Sequence, residues 1–224
     1  MSVALSWSGG KDSALALRAL RQDGIEPAAL VTTVTEGYER ISMHGVRRTL
    51  LAAQARAVGV PLVEVPIPPV CPNDVYESRF EQAFATSLES VEAVAFGDLF
   101  LADVRAYREG RLARIGREAL FPLWGRPTAA LAEEFVAAGF EAVILCVDPR
   151  ALDRSFVGRP YDAALLEELP PAVDPCGENG ELHTFVHAGP VFGAPVPVAR
   201  GAVVERDGFV FCDLVTVSGT VSEV

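Results

Sequence analysis

Lysine is nearly absent from this chain of 224 residues: among 19 basic side chains only Lys11 is a lysine, and the others are arginines. Basic residues are outnumbered by 30 Asp plus Glu, and the net charge of -11 excludes broad, sequence-independent nucleic-acid binding and disfavours an anionic membrane surface. A small anion would need a local positive site. The cysteines, Cys71, Cys146, Cys176 and Cys212, form no C-x-x-C pair, which argues against a zinc ribbon or a thioredoxin-type redox centre. No uninterrupted apolar run of about 18 residues occurs. The opening MSVALSW gives way within a few residues to Gly10, Lys11 and Asp12, leaving no room for the apolar core of a signal peptide. A reducing, cytoplasmic location is expected, with neither a membrane nor a nucleic acid as partner. A homodimer is compatible with the sequence.

What is present is a globular composition, 50% hydrophobic and 22% charged, arranged as alternating short β-rich runs and longer helical patterns. Strands are expected at 3–7, 28–33, 62–65, 93–97, 142–147 and 182–186, and helices at 13–21, 46–58, 75–90, around Arg105, Arg108 and Glu109, and at 133–138 and 161–169. This is the signature of a Rossmann-like α/β domain with a parallel sheet. From about residue 170 the texture becomes Pro- and Gly-rich, and strands at 198–206 and 209–217 flank Asp207-Gly208, a strong hairpin signal. The expected organisation is an N-terminal domain over 1–120 and a smaller C-terminal α+β lobe over 121–224.

Chemistry concentrates first in Ser8-Gly9-Gly10-Lys11-Asp12-Ser13, placed where a strand ends and a helix begins. The first amides of a helix have no intrahelical partner, and the helix dipole adds partial positive charge, so an oxyanion fits there. Gly9 and Gly10 admit a phosphate to the backbone, Ser8 and Ser13 offer hydroxyls, and Lys11 supplies a full charge. Asp12 is wrong for a pure anion trap and is a candidate Mg²⁺ ligand or loop cap. This is not a Walker A loop, which needs a glycine where Leu5 stands and Ser or Thr where Asp12 stands. An ordinary Ser/Gly strand-to-helix turn is the bland alternative. A second cluster, Asp174-Pro175-Cys176-Gly177-Glu178-Asn179-Gly180-Glu181-Leu182-His183-Thr184, crowds carboxylates, a carboxamide and an imidazole between glycines. A polar turn leading into an edge strand would explain it equally well.

The Ser-Gly-Gly-Lys-Asp-Ser segment resembles the PP-loop of the ATP pyrophosphatase superfamily, whose enzymes split ATP between the α and β phosphates. Together with Phe96-Gly97-Asp98, Arg105, Pro122-Leu123-Trp124, Leu152, Phe156-Val157-Gly158, Asp162 and the 176–186 segment, it resembles the diphthine–ammonia ligase family over nearly the whole chain. That resemblance implies an N-terminal PP-loop domain binding ATP and a C-terminal lobe closing the substrate cleft. The activity implied is amidation of a carboxylate with ammonia through an acyl-adenylate, with the modified histidine of elongation factor 2 as acceptor in archaea and eukaryotes. The family pattern there reads Glu-Gly-Gly-Glu-Phe/Tyr-Glu, whereas this chain has Glu178-Asn179-Gly180-Glu181-Leu182-His183, with imidazole in place of a carboxylate. That departure looks like a bacterial branch, for which a small-metabolite carboxylate is the candidate acceptor because bacteria lack diphthamide.

On this reading Ser8, Gly9, Gly10, Lys11, Asp12, Ser13, Thr33, Gly97 and Asp98 bind ATP, with Mg²⁺ at Asp12 and Asp98 as a second ligand. Lys11 stabilises the departing pyrophosphate, and Lys11→Ala is expected to remove activity without unfolding the chain. Glu178, Glu181 and His183 orient the acceptor or deprotonate ammonium, and His183 alone has an ordinary pKa near neutrality. Arg105 is a weak phosphate or substrate candidate. Trp124 is expected in the core between lobes, and His44 and His187 are expected outside any site. A tRNA-modifying PP-loop enzyme and a non-catalytic nucleotide-binding module are the competing classes. The acidic charge weighs against the first and the complete loop against the second.

Overall fold

In a computed structural model, residues 1–37 and 45–217 are described; His44 lies outside them. The first half runs β1 (Val3–Ser6), α1 (Lys11–Gln22), β2 (Ala29–Thr35), α2 (Arg48–Val58), β3 (Leu62–Ile67), α3 (Asn73–Thr86), β4 (Ala93–Ala95), α4 (Ala102–Arg114) and β5 (Glu118–Leu120). Its five strands lie in the order β3-β2-β1-β4-β5, every neighbouring pair parallel. Strands covered on both faces need apolar side chains on both, which is why Val3–Leu5 of β1, Ala29–Val31 of β2 and all of β4 read as continuous short apolar runs.

Alternation sorts those side chains into two cores. Val3 and Leu5 of β1, Leu30 and Val34 of β2, and Ala93 and Ala95 of β4 pack with α1 and α2. Ala4, Val31 and Val94 face the other way, onto Phe80 and Phe84 of α3 and Leu112 of α4.

The second half contributes α5 (Thr128–Ala137), β6 (Glu141–Val147), α6 (Ala163–Glu168), β7 (Leu182–Ala188), β8 (Val198–Arg206) and β9 (Phe209–Thr216). Its sheet has the order β7-β6-β9-β8, with antiparallel neighbours. The hairpin joining β8 to β9 turns at Asp207 (φ 53) and Gly208 (φ 80), the paired positive angles that a two-residue hairpin loop of this twist requires. The α1–α2 face of the parallel sheet packs directly on this half: Leu17 and Leu51 belong to the same buried cluster as Phe135, Ile144, Phe185 and Leu214. An ion pair from Arg18 of α1 to Glu134 of α5, at 2.5 Å, fastens the join at its rim.

Beyond shifts of one or two residues at element ends, the sequence expectations differ from this architecture in three places. β5 is a three-residue, partly exposed strand, too short to carry a period. α5 starts at Thr128, five positions before the expected 133, because its first turn follows Pro127 and is built on alanines that show no apolar stripe. α3 stops at Thr86 and not at 90. Several residues carrying the family resemblance have structural work: Asp162 caps α6 by accepting the Leu165 N–H at 2.9 Å, and Phe156 is buried.

Candidate functional site: the phosphate loop and its C-terminal cover

β1 and β4 are adjacent strands whose chains leave in opposite directions, to α1 on one face and α4 on the other. In an open parallel sheet this divergence opens a crevice at the carboxyl ends of the strands, and ligands bind there. Residues 7–13 fill one side of it. Trp7 N–H donates to Val31 O at 2.8 Å, extending the ladder, and the chain then turns through Gly9 (φ +79) into α1. Ser13 Oγ donates to Gly10 O at 2.8 Å, and Gly10 N–H donates to Ser8 Oγ at 3.2 Å, so both serines close the loop on itself. Gly97, after β4, lies against the first turn of α1: a Cβ there would stand 2.9 Å from the Asp12 carbonyl carbon and oxygen. Only glycine permits this approach.

A second segment covers the loop. The Lys11 N–H, an unpaired first-turn amide of α1, donates to Thr184 Oγ1 of β7 at 3.0 Å, across 173 positions of sequence. Val186 N–H of β7 donates to Gly9 O at 2.9 Å. Lys11 is 2% exposed; its ammonium donates to Asp12 Oδ1 at 3.0 Å and Oδ2 at 2.8 Å and to the Cys176 carbonyl, which uses all three protons. Burial opposes that charge, yet the Asp12 carboxylate beside it raises the Lys11 pKa above its ordinary value, so the side chain is a cation at neutral pH. Asp12, in turn, is pushed above the usual carboxylate range by burial, with Lys11 opposing.

The carboxylates of the covering segment divide by function. Glu181 is 7% exposed and accepts from Asp174 N at 3.2 Å, Asn179 N at 3.1 Å and Asn179 Nδ2 at 3.0 Å. Asp174 accepts from Cys176 N and Glu178 N. Both brace the turn they stand in. Glu178 reaches outward, its Oε1 accepting the Leu99 N–H at 2.8 Å in the loop after β4. Burial pushes the Glu178 carboxyl up; the Leu99 amide opposes this, and Asp12 and Asp98 add to it.

Loop and cover line an open cavity of about 840 Å³ in the crevice, with α3 and α4 along its other wall. Ser8, Gly10, Lys11, Asp12, Ser13, Thr33, Gly97, Asp98, Glu178 and His183 all line it, so the structure brings nearly every sequence-chosen residue to one place. Gly9 and Glu181 stand behind the wall. Arg105 is elsewhere, its guanidinium 4.8 Å above the Phe121 ring and 4.7 Å above that of Trp124, and paired with Glu109. His187 is also outside the lining, 4.0 Å from Glu141, and burial pushes its pKa down.

The expected Mg²⁺ ligands do not form a ready-made metal site. Both Asp12 oxygens face Lys11, and Asp98 pairs with Arg108 at 2.5 Å. Among the described residues no group of three or more His, Cys, Asp or Glu side chains is placed to hold a metal.

The sequence analysis gave no site role to Gln54, Thr184 or Arg108. Arg108 lies 4.3 Å over the Phe96 ring and lines the cavity beside Tyr107 and Tyr76. Gln54 left a signal of its own, a polar residue in phase with the apolar stripe Leu50, Leu51, Ala55 and Val58 of α2.

A parallel sheet in this order with a Ser/Gly loop at its switch point defines a nucleotide-binding, Rossmann-like α/β protein. Comparison with known proteins narrows this. The family model described as the diphthamide synthase N-terminal domain matches residues 1–120, and that of the diphthamide synthase C-terminal domain matches 127–213. The chain belongs to the diphthamide synthase family. A diphthine–ammonia ligase of Bos taurus is 27% identical over 234 residues, covering 94% of this chain and 88% of its own length. One of Schizosaccharomyces pombe is 26% identical over 227 residues, 92% of this chain but 38% of the yeast protein, and one of Rattus norvegicus is 27% identical over 223 residues. The chain is an enzyme of the ATP-dependent ligase class. Among the described residues no helix is long and apolar enough to cross a membrane.

Proposed function

We propose that this chain joins ammonia to a carboxylate acceptor in an amide bond, cleaving ATP to AMP and pyrophosphate through an acyl-adenylate. The observation that supports this reading is the lining of a single cavity by the 8–13 loop on one side and the 176–184 segment on the other. An acceptor carboxylate oxygen attacks the α phosphorus and pyrophosphate leaves; the ammonia nitrogen then attacks the acyl carbon and AMP leaves.

In this scheme residues 1–120 carry ATP and 121–224 carry the acceptor side. The Gly10 amide and the α1 first-turn amides beyond that of Lys11, which is taken by Thr184, hold the departing pyrophosphate with Ser8 and Ser13, and preorganised donors of this kind contribute about 3 kcal/mol each to such a step. Lys11 adds positive charge from beneath the loop, and Thr33 lines the nucleoside side. Mg²⁺ enters with the phosphates as part of the substrate. Glu178 and His183 are the groups placed to take protons from ammonium; Glu181 acts on the acceptor side only by holding the segment in shape.

The relatives' name points to diphthine as acceptor. His183, in the cavity wall where the diphthamide pattern carries a carboxylate, favours a different one, a small carboxylate metabolite. Both classes belong in one assay: each acceptor, labelled with ¹⁸O in its carboxylate, is incubated with ATP, Mg²⁺ and ammonium chloride. Transfer of one ¹⁸O into AMP is expected with the true acceptor. Amide formation with the label absent from AMP overturns the acyl-adenylate.

A further inference from the structure

Gln54 is fully buried, 0% exposed, in the middle of α2, yet its side chain serves the phosphate loop. Its Nε2 donates to Gly9 O at 2.9 Å and to Val186 O at 2.6 Å, while its Oε1 accepts the Trp7 indole N–H at 3.0 Å. The Gly9 carbonyl therefore has two donors, Gln54 and the Val186 N–H.

The C=O of Gly9 and the N–H of Gly10 are the two ends of one planar trans peptide and point in opposite directions. Drawing the oxygen toward α2 and β7 fixes the Gly10 N–H on the other side, where it meets Ser8 Oγ at 3.2 Å and Gly10 lines the cavity. This peptide joins two glycines, so no Cβ at either end resists rotation of its plane, and local sterics leave its orientation undetermined. Two hydrogen bonds determine it instead. The fit on the Gln54 side is tight: a Cβ on Gly9 would stand 2.5 Å from Gln54 Oε1.

We infer that Gln54 is a positioning residue of the nucleotide site, holding the Gly9–Gly10 peptide with its amide toward the bound phosphate and tying that peptide to β7. Without it only the Val186 N–H holds the Gly9 oxygen, and the plane turns over more readily to present that oxygen to the anion, exchanging a donor for a repelling acceptor. The inference rests on the reading of residues 8–13 as a pyrophosphate cradle.

The test is calorimetric titration of the full chain with sodium pyrophosphate between pH 5 and pH 8. Gln54→Glu keeps the shape but sets a carboxylate against the Gly9 and Val186 carbonyls. It is expected to bind about five- to tenfold more weakly at pH 8, the effect of one ordinary hydrogen bond on an equilibrium. The gap to the wild type should narrow toward pH 5, as protonation of the new carboxyl restores one donor. Gln54→Met, of similar size and uncharged, is expected to show a loss that does not change with pH, and it carries the test if Gln54→Glu fails to fold. Wild-type affinity in a folded Gln54→Met protein, or a pH-independent gap for Gln54→Glu, overturns the inference while leaving the cradle intact. A wild-type chain that does not bind pyrophosphate overturns the cradle, and the inference with it.

Discussion

The 8–13 loop and the 174–184 segment face each other across one cavity, and both are short, polar and rich in glycine, yet they are held in shape by different groups. The loop is closed by its own serine hydroxyls and anchored from outside by neutral donors and acceptors of α2 and β7, and its own charges, Lys11 and Asp12, answer each other. The segment is fixed from inside, by its own carboxylates: Asp174 and Glu181 take up its amides. A carboxylate in a turn next to a cavity is thus weak evidence of chemistry until its partners are known.

The largest effect that separates the two regions is expected from Lys11→Ala. It leaves Asp12 without its counter-charge and removes the bond to the Cys176 carbonyl, so the chain should lose about 3 kcal/mol of stability in urea unfolding, together with pyrophosphate binding. A fully stable variant would return Lys11 to the purely phosphate-facing role that the sequence suggests. Next come two glycines with positive φ, Gly9 in the loop and Gly177 in the segment, where a Cβ would meet Gln54 Oε1 and Leu182 O respectively at 2.5 Å. Gly9→Ala and Gly177→Ala should each lose about 1–3 kcal/mol, but only Gly9→Ala should also abolish pyrophosphate binding. Equal loss of binding in both would erase the contrast.

Glu181→Ala strands buried N–H groups and should cost about 2 kcal/mol, leaving pyrophosphate affinity unchanged; a selective loss of affinity would put Glu181 in the nucleotide site. Glu178→Gln carries a pH signature. The Glu178 carboxyl is held above its ordinary 4.5 in the fold, chiefly by burial, so its ionisation opposes folding. That penalty is absent below pH 4.5 and complete above the raised value. The glutamine variant keeps an acceptor for the Leu99 N–H, so it should melt higher than the wild type at pH 8 and equally at pH 4. A lower melting temperature at pH 8 would mean that Glu178 is a strap that depends on its charge. The smallest effect is chemical: burial pushes the Cys176 thiol up to about 12, so iodoacetamide at pH 8 should leave it unmodified in the native chain while labelling the partly exposed Cys71. Fast labelling of Cys176 would show that the segment opens readily.

Much of this was legible in the residues because it is local. The parallel sheet follows from apolar runs at alternating spacing, the hairpin from Asp207-Gly208, and the loop from its glycines at a strand-to-helix junction. What was not legible depends on contacts distant in sequence. Thr184 accepting the Lys11 N–H, and Gln54 between Gly9 and Val186, are separated from their partners by 173 and by 45 and 132 positions. The bracing role of Glu181 was hidden because two of its three partners are backbone amides, two and seven residues away, which leave no mark on side-chain composition.

The central claim is that the loop holds pyrophosphate as a leaving group. It is tested most directly by ³¹P NMR of ATP turned over by the chain with Mg²⁺, ammonium chloride and the carboxylate acceptor. AMP and pyrophosphate in equal amounts, appearing only when ammonium and acceptor are both present, is the expected result. ADP and inorganic phosphate as the products would contradict it.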